Sequence, residues 1–176
     1  MAVAYVALGS NLGDRLGLLR EAVARLGDHG AVEAVSPVYE TEPVGFADQP
    51  AYLNAALRLR TDLPPAALLA GMLGVEADLG RVRSFPNAPR TLDLDLLFYG
   101  DLILESADLV LPHPRLHERA FVLVPLADIA PELLHPTTGL RVRELLAALG
   151  DRGGVRVVAG GALTLPGGTE ASESPG

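Results

Sequence analysis

Apolar and polar positions divide the chain into short, regular blocks. Val3 to Leu8 is a continuous apolar run, read as a buried strand, and Gly9-Ser10-Asn11 breaks it. Asp14 then stands as a helix N-cap, followed by Leu16, Leu19, Val23 and Leu26 at spacings of three and four, with Gly27 and Gly30 closing the helix. Val32 to Glu40 reads as a second strand that Pro37 confines to an edge or a bulge. Thr41 to Pro50, with two prolines and a glycine, reads as a loop. Tyr52 to Arg60 alternates: Leu53, Ala55, Leu57 and Leu59 on one side, Tyr52, Asn54, Ala56, Arg58 and Arg60 on the other. Pro64-Pro65 opens a helix with the stripe Leu68, Met72, Val75 and Leu79, closed by Gly80. Arg81 to Arg90 is a loop and Thr91 to Tyr99 a strong strand, turning at Tyr99-Gly100-Asp101-Leu102 into an extended Leu102-Ile103-Leu104. Arg115 to Ile129 is helical but split or kinked because it contains Pro125. Val142 to Leu149 is a short helix and Val155 to Val158 a last strand.

The resulting order, strand-helix-strand-strand-helix-strand with C-terminal additions, is the β-α-β-β-α-β pattern of a ferredoxin-like α+β fold. A length of 176 residues bounds this to one domain, taken as 1–159, with a glycine-, serine- and proline-rich flexible tail over 160–176.

Charge and missing residue types narrow the chemistry. The net charge of −8 lacks the basic footprint of a nucleic-acid binder. With no cysteine there is no disulfide, thiolate metal site or cysteine nucleophile. No apolar run reaches the ~18 residues of a membrane span. The expectation is a cytoplasmic, monomeric protein. No lysine occurs, so Gly9 to Asp14 is not a lysine-bearing phosphate loop.

The sharpest feature is Arg90-Thr91-Leu92-Asp93-Leu94-Asp95-Leu96-Leu97. Side chains alternate along a strand, so Asp93 and Asp95 share one face ~7 Å apart, while Leu92, Leu94, Leu96 and Phe98 share the other. Aspartate is disfavoured in strands. Two of them suggest ligands for Mg²⁺, which takes hard oxygens and keeps waters and phosphates; the plainer reading is a pair of solvent-facing charges. Arg81, Arg83 and Arg90 precede the pair, and Arg115 and Arg119 lie near His113. Arginine forks neutralise phosphate oxygens, although any one of these could be an ordinary surface residue. Tyr52 and Asn54, on the polar face of their strand, offer a ring to stack and an amide that both donates and accepts. His29, His117 and His135 show no zinc spacing.

Six ordered segments together resemble the 6-hydroxymethyl-7,8-dihydropterin pyrophosphokinase family: Ala7 to Asp14, Tyr39 to Gly45, Gln49 to Ala56, Glu76 with Leu79 to Arg83, Pro89 to Asp95, and Pro112 to Phe121. The resemblance implies an α/β/α sandwich that moves diphosphate from MgATP to the pterin hydroxymethyl group. It implies two Mg²⁺ ions on Asp93 and Asp95, and Arg81 and Arg90 as catalytic cations. It implies an ATP site of Glu76, Arg83, Leu96, His113 and Arg119. It further implies a pterin pocket of Thr41, Val44, Tyr52, Asn54 and Phe121. The segment Ser84 to Pro89 is short and lacks the tryptophan and glycine that some members carry. Rival readings are another two-metal phosphoryl or nucleotidyl transferase, and a non-catalytic ferredoxin-like module.

Overall fold

The computed structural model describes residues 1–11, 14–41, 51–80, 92–150, 154–158, 163 and 165. The main sheet runs β5-β1-β4-β3-β8, with β2 also paired to β4. These strands are β1 (Ala2–Ser10), β2 (Ala31–Val35), β3 (Tyr39–Thr41), β4 (Tyr52–Thr61), β5 (Leu92–Tyr99) and β8 (Val155–Val157); every pairing is antiparallel. Helices α1 (Arg15–Leu26) and α2 (Pro65–Leu79) cover one face, and α3 (Ala120–Ile129) and α4 (Val142–Leu149) cover the other. This is the three-layer α/β/α arrangement, with C-terminal helices added to a ferredoxin-like core.

Each layer follows from the side-chain pattern. Asp14 caps α1 by accepting the Gly17 N–H at 3.0 Å, which satisfies one of the orphan donors of the first turn. Leu19, Ala22, Val23 and Leu26 of α1 meet Leu68, Met72 and Val75 of α2 over Val6, Leu8, Leu57 and Leu59 of the sheet. The second core joins Tyr5, Ala7, Ala56, Leu97 and Phe98 to Val122, Leu123 and Leu126 of α3 and to Leu145 and Leu146 of α4. Burying one such leucine stabilises the fold by about 1.5–3 kcal/mol. Among the described residues, no helix is long and apolar enough to cross a membrane.

Four local readings change. The expected second strand is two, β2 and β3, both laid on β4. At the break Ser36 takes over: its N–H donates to Ala56 O at 2.8 Å and its hydroxyl accepts the Ala56 N–H at 2.9 Å. Phe98 does not join Leu92, Leu94 and Leu96; it is buried in the second core. Tyr5 pairs with Phe98 and Val6 with Leu96, so Leu97 is an extra, unpaired residue and the side-chain parity inverts beyond it. The turn after Tyr99 forms, with Gly100 at φ +55°, but the chain beyond does not fold back on β5. Instead β6 (Leu104–Glu105) pairs with β7 (Val110–Leu111). The outer edge of β5 is taken by other groups: Leu94 N–H by the Glu76 carboxylate, and Leu97 O by the His113 N–H. Finally, the helical stretch after Arg115 breaks at Arg119, between a 3-10 turn (Leu116–Glu118) and α3, which continues through Pro125. Leu163, within the stretch read as a tail, is buried in the first core.

His135 makes one part of this fold acid-sensitive. It is buried, edge-on to Phe98, and its Nδ1 accepts the N–H groups of Thr137 and Thr138 at 3.3 and 3.2 Å. Burial, and secondarily His117, hold its pKa below the ordinary histidine value, against the pull of a backbone hydrogen bond. The unfolded chain therefore binds the proton first. The stability His135 contributes is intact above about pH 6.5 and falls as pH drops, by at most ~1.4 kcal/mol per unit. In urea melts between pH 5 and 7.5, His135→Gln is expected to be less stable than wild type at neutral pH and to show a shallower acid slope. An unchanged slope would exclude His135 as the source.

Candidate active site

The face of the sheet beneath α3 carries the polar residues that the alternation singled out. The register aligns Tyr39, Asn54, Gly9 and Asp93 in one row across β3, β4, β1 and β5. Strands lie ~4.8 Å apart, so the row brings the Asn54 amide within ~10 Å of the Asp93 backbone. The next row places Asp95 beside Ala7 and Ala56. Asp93 and Asp95 thus share one face of a strand whose other face is locked into the first core by Leu92, Leu94 and Leu96. Between them, the Leu94 N–H donates to the buried Glu76 carboxylate at 2.6 Å, a charge-assisted bond that fixes the strand segment bearing both aspartates.

Around Asp95 the surroundings are cationic and polar. His113 Nε2 lies 4.0 Å from Asp95 Oδ1, and the Asp95 side chain is 43% exposed, open to a solute. His113 Nδ1 accepts the Arg115 N–H at 3.2 Å, so the neutral ring carries its proton on Nε2 and offers it toward Asp95. Burial pushes the His113 pKa down; Asp95 pulls it up, while Arg119 and Arg115 push it further down. The Arg119 guanidinium sits 5.7 Å over the Phe121 ring, a cation–π contact at the start of α3.

On the β4 side, Asn54 is 5% exposed and donates through Nδ2 to Thr41 Oγ1 at 2.8 Å. The Tyr52 phenol has its pKa raised, first by burial and then by the Asp93 charge, so the ring lies within the field of that carboxylate. The structure therefore brings Thr41, Tyr52, Asn54, Asp93, Asp95, His113, Arg119 and Phe121 to one region. Glu76 and Leu96 point to the opposite, first-core side of β5. Arg81, Arg83, Arg90 and Val44 lie outside the described residues.

The donor chemistry fits magnesium. Asp93 and Asp95 supply hard carboxylate oxygens on one rigid strand. A two-carboxylate platform that leaves positions for water and phosphate is the usual magnesium arrangement.

Several features were not singled out as site residues. Tyr39 donates its hydroxyl to the Asp128 carboxylate of α3, and burial together with Asp128 raises its pKa to about 12. Among the described residues, Ser10 Oγ and Asn11 Oδ1, at the end of β1, are buried without a hydrogen-bond partner. Their only signal was the Gly9-Ser10-Asn11 break, which reads equally as a turn.

Comparison with known proteins matches residues 5–131 to the model of the 7,8-dihydro-6-hydroxymethylpterin-pyrophosphokinase (HPPK) family. The chain is 45% identical over 157 residues to the 2-amino-4-hydroxy-6-hydroxymethyldihydropteridine pyrophosphokinase of Bacillus subtilis, covering 88% of this chain and 89% of that one. It is 46% identical over 159 residues to the protein of the same name from Methylorubrum extorquens, covering 89% and 99%. It also matches the folic acid synthesis protein fol1 of Pneumocystis carinii at 43% identity over 84% of this chain, but spans only 20% of that longer protein. Among solved structures, Plasmodium falciparum HPPK-DHPS superposes with a TM-score of 0.65 at 16% identity, over 84% of this chain and 43% of that one, a likeness of fold.

Proposed function

Because this chain belongs to the 7,8-dihydro-6-hydroxymethylpterin-pyrophosphokinase family, we propose that its aspartate-bearing sheet face transfers diphosphate from ATP to 6-hydroxymethyl-7,8-dihydropterin. It is an ATP-dependent diphosphotransferase of folate biosynthesis. One observation carries the assignment of the site: Asp93 and Asp95 share a face with the Asn54–Thr41 pair, in adjoining rows of the same sheet. The phosphate-handling carboxylates and a polar pocket for a flat heterocycle are thereby neighbours on one rigid platform.

In the reaction, the pterin hydroxymethyl oxygen forms a bond to the β-phosphorus of ATP and gives up its proton. The bond from that phosphorus to the bridging oxygen breaks, and AMP leaves. Asp93 and Asp95 hold magnesium, two ions in this reading, whose chemistry is to neutralise phosphate charge and ease loss of the hydroxyl proton. Thr41, Val44, Tyr52, Asn54 and Phe121 hold the pterin. Asn54 keeps a buried carbonyl and amide for the ring edge, while Tyr52 and Phe121 supply apolar surface. Glu76, Arg83, Leu96, His113 and Arg119 form the nucleotide side. Glu76 acts there through the Leu94 N–H that sets β5, and Leu96 from the first core, where it backs the strand that carries the aspartates. The neutral His113 offers an Nε2 N–H to phosphate. Arg81 and Arg90 offset charge on the transferring group once water is excluded. The protein works as a cytoplasmic monomer, with its domain over 1–159.

The test is product identity. Incubated with MgATP and the pterin alcohol, the protein is expected to release AMP and pterin diphosphate one to one. ADP or inorganic pyrophosphate as the product would assign the same aspartates to a different phosphoryl or nucleotidyl transfer.

A further inference from the structure

Beside the pocket, on the side of β3 away from Tyr39, lies an ion network with no role in the reaction described above. Arg15, the first residue of α1, donates from Nη1 to Ala51 O at 2.6 Å and lies 3.4 Å from Glu40 Oε2. The other Glu40 oxygen accepts from Arg156 Nη2 at 2.9 Å. The Glu40 carboxyl is held below its ordinary range chiefly by Arg156, with Arg15 adding to it against the opposing effect of burial. Four separate segments meet at this point: the start of α1, β3, the residue before β4, and β8.

The location gives the network its meaning. Glu40 immediately precedes Thr41, and Ala51 immediately precedes Tyr52; Thr41, the last residue of β3, and Tyr52, the first of β4, form the terminal pair of that ladder. Asn54, two residues along β4, is the partner of Thr41 through its side chain. A single guanidinium thus bridges the two strand ends that carry three of the proposed pterin contacts. Arg156 joins it from β8, paired with Glu40 in the sheet register. Strand ends fray where their terminal residues have few buried contacts, and this end is held across β4, β3 and β8. Arg15 and Glu40 are each about 30% exposed (30% and 28%). Their ion pair alone is therefore worth little, whereas the charge-assisted bond to Ala51 O is the stronger element.

We propose that Arg15, Glu40 and Arg156 form a positioning clamp that holds Thr41, Tyr52 and Asn54 in register for the pterin, and that the C-terminal strand β8 thereby contributes to pterin affinity. The three are positioning residues, and the inference rests on the pocket assigned above.

The clamp predicts a split between the two substrates. Arg15→Ala is expected to raise KM for the pterin about five- to tenfold, which is about 1–1.4 kcal/mol. KM for ATP and kcat should stay within about twofold. Glu40→Gln should give a smaller rise of the same kind, and because Glu40 also holds Arg156, Arg15→Ala with Glu40→Gln should exceed Arg15→Ala alone yet fall short of the two single effects combined. Arg15→Lys, which keeps the charge but not the fork, should fall between. Should Arg15→Ala fail to fold, Arg156→Gln carries the test, with thermal melts run on every variant. An unchanged pterin KM in folded Arg15→Ala, or equal rises for both substrates, would overturn the clamp. Asn54→Ala separates the two levels. If it raises the pterin KM while Arg15→Ala does not, only the clamp fails. If Asn54→Ala also leaves the pterin KM unchanged, the pocket assignment fails and takes the clamp with it.

Discussion

Asp95→Ala is expected to lower kcat about a thousandfold or more while leaving the fold intact. The carboxylate sits on the open face of β5, with its side chain 43% exposed, so little packing is lost; surface changes of this kind usually move stability by under ~0.5 kcal/mol. Its loss removes an oxygen ligand where phosphate charge must be neutralised, and a thousandfold corresponds to about 4 kcal/mol of transition-state stabilisation. Asp95→Asn tests whether charge or shape matters. It preserves the side-chain volume and a hydrogen-bonding oxygen toward His113, yet is expected to be nearly as inactive as the alanine variant. AMP release and the magnesium dependence of the rate are the readouts, with a thermal melt to confirm the fold. A rate within tenfold of wild type, with unaltered magnesium dependence, would remove Asp95 from the metal site.

Why that aspartate pair was legible in the sequence, and its strand only partly so, is a matter of period. Strand side chains alternate with a period of two, so Asp93 and Asp95 had to share a face. The same rule sorted Leu53, Ala55, Leu57 and Leu59 from Tyr52, Asn54 and Ala56 in β4. The rule failed at Phe98, because one extra residue at Leu97 shifts the pairing with β1, and no local pattern announces a bulge inside a run of apolar residues. Helices α1 and α2 were equally legible from their stripes, and α1 from its Asp14 cap, whereas the stretch after Arg115 breaks at Arg119 and runs on through Pro125. The break at Ser36–Pro37 was signalled by the proline, but its repair by the Ser36 hydroxyl depends on Ala56, twenty residues away. Long-range polar pairs fall outside sequence reading for the same reason. Arg15 with Ala51, Tyr39 with Asp128, and Glu40 with Arg156 are neighbours only because the sheet assembles as it does. Glu76 was placed with the nucleotide by resemblance; its bond to the Leu94 N–H became visible only once α2 packed against β5.

Gly9→Val is expected to weaken pterin binding about a hundredfold with little change in stability. A glycine inside a central strand gives up ~0.5–1 kcal/mol of stability relative to alanine, so its place in β1 calls for a physical reason. Gly9 stands between Asn54 on β4 and Asp93 on β5. A Cβ built there would lie 3.3 Å from Asn54 Oδ1 and 3.8 Å from the Tyr52 ring. The missing side chain is therefore a gap in the floor of the pocket, at the point where a ligand would pass from the amide toward the carboxylates. Alanine forces Asn54 to give by a few tenths of an ångström, straining its bond to Thr41 Oγ1, and is expected to cost about tenfold in affinity. Valine adds two further carbons, which occupy the floor itself. Its β-branched side chain suits a strand and offsets part of the crowding at Asn54, so the melting temperature should change little while affinity falls. That opposition separates a ligand-shaped gap from a merely structural glycine, for which stability and binding would decline together. The measurement is titration of pterin fluorescence in the presence of magnesium and a non-hydrolysable ATP analogue, across the glycine, alanine and valine series. Wild-type pterin affinity in a folded valine variant would move the binding surface away from this row of the sheet.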